Sequence, residues 1–153
     1  MSSQRQKRGK DQIIADQTPA QRLAPYYPDL ENWARSWCCE ERDLVPGQRI
    51  VEFFKPFLLH LLAQGLAAKT VRRHYDHLWM LGGEVIRRRQ EHSHLRRLPV
   101  EKATLALLED DGGPLIWPRI SELEQNSFDA TCRKLYRYFT VHISAERKRD
   151  LGK

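Results

Sequence analysis

Cysteine is scarce and unpatterned: Cys38, Cys39 and Cys132 are the only three in 153 residues, and two of them are adjacent. An odd, unspaced set is not the framework that staples small secreted domains, so a core must hold the fold and a reducing cytoplasm is the expected compartment. Long apolar runs are missing as well. No window reaches the ~18 residues a membrane helix needs, and the N-terminal MSSQRQKRGKDQ has no apolar leader segment, so no membrane partner is expected. Apart from short pieces near Ile116, no stretch alternates apolar and polar residues for strand length. Leu81-Gly82-Gly83-Glu84 lacks the Lys and Ser/Thr of a phosphate-cradling loop. With no nucleophile and base in a recognisable pattern, the chain reads as non-catalytic and without a cofactor.

What is present is enough for one folded domain. Hydrophobic residues make up 41%, with four Trp, five Tyr and five Phe. A chain of this length buries about two thirds of its unfolded surface. The expected fold is all-α, a compact bundle of about five helices. Residues 1–25, carrying Arg5, Lys7, Arg8 and Lys10, are expected to form a disordered basic arm, 26–144 the helical domain, and 145–153 a polar tail that frays.

Leu30, Trp33, Ala34, Trp37 and Cys38 fall on one helical face, predicting a first helix over 29–42 with the cysteines buried. Pro46-Gly47 should punctuate. Ile50 to Leu62 is apolar on more than half of a helix and belongs mid-core, with a kink or break at Pro56. Gly65 fits a left-handed helix end, and Thr70 is placed to cap a third, longest helix running to Arg89. Gly82-Gly83 inside it predicts a close helix crossing or a kink. A short helix over Val100 to Leu108 and a final one opening at Ser121/Glu124 or at Ser127 complete the set, and all four tryptophans are assigned to packing.

Charge is clustered. Residues 69–97 carry a net +5, 101–124 a net −4 and 133–153 a net +5, in a chain of net +6. Lys69, Arg72 and Arg73 fall away from the apolar Val71, Tyr75 and Leu78, leaving the cations for solvent or phosphate. A solvated charged face is the plain alternative. Arg87, Arg88 and Arg89 end the same helix, with Arg96 and Arg97 beyond, where cations also complement the helix dipole. Arg133, Lys134 and Arg137 are candidates for the same face. His74 and His77, with His92 and His94, raise zinc, but no cysteine or carboxylate pattern completes a site, so no metal is expected.

Phe54 to Leu62, followed by Gly65-Leu66-Ala67-Ala68-Lys69-Thr70-Val71-Arg72-Arg73-His74-Tyr75 and Leu78, resembles the N-terminal core-binding, SAM-like domain of tyrosine recombinases, the phage integrases. Ser127 to Phe139 is similar to that domain's last helix. The resemblance implies a domain that clamps one face of duplex DNA, with Thr70 joining the contact set. The family's catalytic domain is not expected within these residues, and His94-Leu95-Arg96-Arg97 matches its His-x-x-Arg pair only by coincidence. Leu81-Gly82-Gly83-Glu84 departs from the family's usual apolar continuation. The expected function is therefore a small DNA-binding protein, associated with a mobile element, whose partner is double-stranded DNA. The alternative is an accessory module that binds a protein partner or a second copy of itself.

Overall fold

The computed structural model describes residues 17–109 and 111–151, with side chains to residue 142. Arg5, Lys7, Arg8 and Lys10 of the expected arm lie outside the described residues. Seven α-helices are described: α1 (Pro19–Leu23), α2 (Trp33–Trp37), α3 (Leu44–Ala63), α4 (Ala68–Glu91), α5 (Ser93–Arg97), α6 (Val100–Ala106) and α7 (Glu122–Leu151), with single 3₁₀ turns at Leu30–Asn32 and Glu41–Asp43. Among the described residues there is no strand, only an isolated antiparallel bridge between Glu109 and Gly112.

The most apolar helix takes the centre, as its composition requires. α3 buries Ile50, Val51, Phe54, Phe57, Leu58 and Leu61, and α1, α2, α4 and α6 pack around it. α4 contributes Leu78, Leu81, Val85 and Ile86, and α7 contributes Phe128, Cys132, Leu135 and Phe139. Phe53 of α3 stacks on Phe139 of α7 with ring centroids 4.2 Å apart and planes 3° apart. Lys55 is buried on α3 and offset by carboxylates from two sides, Glu31 at 2.9 Å and Glu52 one turn earlier.

Several boundaries differ from the sequence reading. Helical structure begins inside the expected arm, because Thr18 and Gln21 form a capping box for α1 and Leu23 is fully buried. The expected first helix is not continuous over 29–42: α2 stops at Trp37, and Glu40 and Asp43 cap the next turn reciprocally. Cys38 and Cys39 therefore sit in a connection, Cys39 exposed and Cys38 Sγ 2.8 Å from the Glu40 carbonyl, rather than on a buried helix face. Pro46-Gly47 does not interrupt; both residues lie in the first turn of α3, where proline's missing N–H has no intrahelical acceptor to lose. Nor does Pro56 split α3. It lies on the exposed side, where water can take the carbonyl one turn back. At the other end the backbone of α7 is helical through Leu151, so residues 145–151 of the expected tail continue the helix rather than forming a separate tail. Trp33 and Trp37 are core residues as expected, but Trp79 is 43% and Trp117 52% exposed.

Other features follow the sequence reading. Gly65 has φ +68 and closes α3. Ser121 and Glu124 form the capping box of α7, each backbone N–H bonded to the other's side chain at 3.0 and 3.1 Å.

Candidate nucleic-acid interface

α4 begins without a side-chain cap. Ala67 occupies the cap position and cannot accept a hydrogen bond, and the first turn carries no acidic residue. Thr70, expected to be the cap, is inside that turn, because the extended Leu66-Ala67 link starts the helix at Ala68. The first N–H groups of a 24-residue helix thus have no side-chain acceptor, at the positive end of its dipole. Lys69, Arg72 and Arg73 project from this same end and are exposed.

α7 brings the second set of cations to the first. Thr70, Arg73 and His74 of α4 face Arg133, Lys134 and Arg137 of α7 across a cleft of about 680 Å³, with His60 and His142 also on its walls and no carboxylate among its lining residues. Arg133 Nη1 donates to the Asp111 carbonyl at 3.0 Å, which holds that guanidinium over the cleft's edge. On its other side Arg73 shares a hollow with Lys69 and Arg72, where Asp76 and Glu124 are also present. Arg73 belongs to both, so the two cationic groups form one surface. Among the described residues, Lys69, Arg72, Arg73, Lys134 and Arg137 make no ion pair.

Beneath that surface lies a polar triad. Thr131 Oγ1 is 2.7 Å from His74 Nδ1 and 2.7 Å from His77 Nδ1, with the threonine buried. A hydroxyl donates only one proton but can accept two, so at least one of the two rings donates through Nδ1–H to Thr131 Oγ1. Burial, reinforced by Lys134, Arg73 and His77, pushes His74 down to about 4. His77 is lowered by burial and by Arg73, against the opposing pull of Asp76. Both rings are therefore neutral at pH 7, and the histidines serve packing between α4 and α7.

The far end of α4 has a different chemistry. Glu84 is buried, and burial alone would raise its carboxyl; hydrogen bonds from Arg87, Arg119 and Arg88 overcome this and hold it at about 2. Oε1 accepts from Arg87 Nη2 at 2.6 Å and Arg88 Nε at 2.9 Å, and Oε2 accepts from Arg119 Nη2 at 2.8 Å. Arg87 also pairs with Glu91 at 2.9 Å, and Arg88 donates to the Leu115 carbonyl at 3.2 Å. Arg89 is half-buried beside Asp43 and Arg96. Arg96 and Arg97 are exposed on α5, separated from Arg72 by the rest of α4, roughly 30 Å of helix axis.

The candidate cations thus fall into two groups. Lys69, Thr70, Arg72, Arg73, Arg133, Lys134 and Arg137 are brought together at the start of α4, whereas Arg87, Arg88, Arg89, Arg96 and Arg97 are not part of that surface, and the first two are engaged by Glu84. Sequence reasoning missed Glu84, whose spacing to Arg87 and Arg88 was a readable i, i+3 and i, i+4 signal. It also missed Arg119, Thr131, His60 and His142, which enter through tertiary packing alone. No family model, curated protein or solved structure matches this chain.

Proposed function

We propose that this chain is a non-catalytic DNA-binding module that holds a duplex by its phosphates, with the DNA backbone lying against the start of α4 and the facing side of α7. The single observation that carries the reading is the joint cationic surface of Lys69, Arg72, Arg73, Arg133, Lys134 and Arg137 around an uncapped helix N-terminus. Arginine forks match phosphate oxygens, and N–H groups at the positive end of a helix donate to the same ligand. The same turn and helix carry the likeness to the core-binding domain of tyrosine recombinases, and on that likeness the proposal extends to a role beside a recombinase of a mobile element. Fluorescence anisotropy of a labelled duplex, titrated with the full chain at low salt, tests it. Binding that is lost in the Arg72→Glu/Arg73→Glu double variant supports the reading; wild-type binding no tighter than the variant's removes it.

A second reading, an accessory module that docks on a protein, is favoured by exposed apolar side chains near the start of α7. Leu115 is 63% and Leu123 81% exposed, close in the chain to the exposed Trp117. Co-purification that survives high salt, where exposed charges are screened, is the outcome that reading requires.

A further inference from the structure

The cationic row has an aromatic neighbour. On the Val71–Tyr75 side of α4 a half-enclosed cleft of about 520 Å³ is walled by residues 25–29, by Leu62 and Leu66, and by Val71, Arg72 and Tyr75. That volume suits a small planar group. Tyr27 is 2% exposed and stacks on Tyr75 at 4.7 Å with planes 16° apart, and Tyr75 packs in turn on Trp33 at 4.7 Å, giving the cleft a rigid aromatic base. Among the described residues the Tyr27 hydroxyl has no hydrogen-bond partner, a state buried polar groups rarely keep. At the mouth, Tyr26 is 64% exposed and held between Pro25 and Pro28. Arg72 lines both this cleft and the hollow it shares with Lys69 and Arg73.

We infer that this cleft receives an unpaired nucleobase from a DNA strand whose phosphates lie on Lys69, Arg72 and Arg73, an inference that rests on the DNA reading above. Every base presents a π face, so aromatic walls take any of the four, and a charged rim keeps hold of the backbone as the base leaves the stack. Since a continuous duplex offers no free base along its length, the cleft gives a preference for bulged or partly single-stranded sites.

Two labelled duplexes titrated with the full chain test this, one continuous and one with a short bulge containing 2-aminopurine. The bulged duplex is expected to bind about tenfold more tightly, with 2-aminopurine emission quenched on stacking. Tyr26→Ala, which removes the mouth, and Leu66→Trp, which fills the cleft, should each abolish that preference and leave affinity for the continuous duplex unchanged. Both variants are to be compared at wild-type helical circular dichroism. Equal affinity for the two duplexes, or a preference that survives in both variants, overturns the base site while the duplex reading stands. Failure to bind either duplex overturns both.

Discussion

The indole of Trp37 occupies the space that a side chain at position 82 would need: a Cβ on Gly82 would lie 2.3 Å from ring atoms Cη2 and Cζ2, and Trp37 Nε1 donates to the Trp79 carbonyl at 3.0 Å. The glycine pair is a seat for α2 on α4. At Gly83 the nearest ring atom would be 3.2 Å away, a tighter contact than usual but one a small shift relieves.

Gly82→Ala should therefore destabilise the fold by about 1–3 kcal/mol, the range for overpacking a filled core. Gly83→Ala should cost less. Urea unfolding midpoints check both. Alanine's helix propensity acts in the opposite direction by about 1 kcal/mol, so an unchanged or raised midpoint for Gly82→Ala would show that the ring moves aside.

The glycine pair also marks how far the sequence could be read. Its presence in an apolar helical run announced a close approach, but the partner, Trp37, is far away in the chain and left no local trace. Ile50 to Leu62 declared itself as the central helix because it is apolar nearly all round. Boundaries were less legible where a polar side chain decided them: Glu40 and Asp43 cap each other, and that short exchange ends the first helical region early. At the site, Lys69, Arg72 and Arg73 share one local stretch and were visible as a stripe. That Arg133, Lys134 and Arg137 join them depends on how α7 crosses α4, and that Arg87 and Arg88 turn to Glu84 depends on Glu84 being buried.

Glu84→Gln should lower stability by about 1–3 kcal/mol, since a neutral amide leaves three guanidinium groups short of an acceptor. Arg119→Gln should cost under about 1 kcal/mol, because its side chain is half-exposed and water replaces the carboxylate. Chemical denaturation at pH 7 checks the pair. Equal losses would mean that the buried carboxylate has no special place in the network.

Acid should lower the protein's stability in two separate pH windows. His74 binds its proton less readily in the fold, at about 4 against an ordinary 6.5, so its stabilising effect is full above pH 6.5 and is lost as pH falls toward 4. That gap corresponds to roughly 3 kcal/mol. Glu84 is held at about 2 against 4.5, so its effect is full above pH 4.5 and is lost between there and pH 2. Denaturation midpoints measured across pH should slope in both windows for the wild type. His74→Gln should reduce the slope in the upper window, where His77, also lowered by burial, keeps a share, and Glu84→Gln should reduce it in the lower; unchanged slopes in either variant would contradict the assignment.

Thr131→Val keeps the shape of the buried threonine but removes the hydroxyl both imidazoles use, so it should destabilise by about 1–3 kcal/mol and loosen α7 from α4. Hydrogen exchange along α4 and α7 reads the loosening directly. Protection equal to that of the wild type would mean that the shared hydroxyl does not hold the two helices together.

The most direct test of the central claim is the dependence of duplex affinity on salt in three proteins: the wild type, Arg72→Glu/Arg73→Glu, and Arg96→Glu/Arg97→Glu. With six cations on phosphate, log affinity against log salt should fall with a slope of about −5 in the wild type, since each neutralised phosphate contributes about 0.9. The first double variant should lose most of its affinity and about two units of slope or more, while the second keeps the wild-type slope. A wild-type slope near zero, or loss of slope in the Arg96/Arg97 variant with none in the Arg72/Arg73 variant, would contradict a phosphate contact at the start of α4.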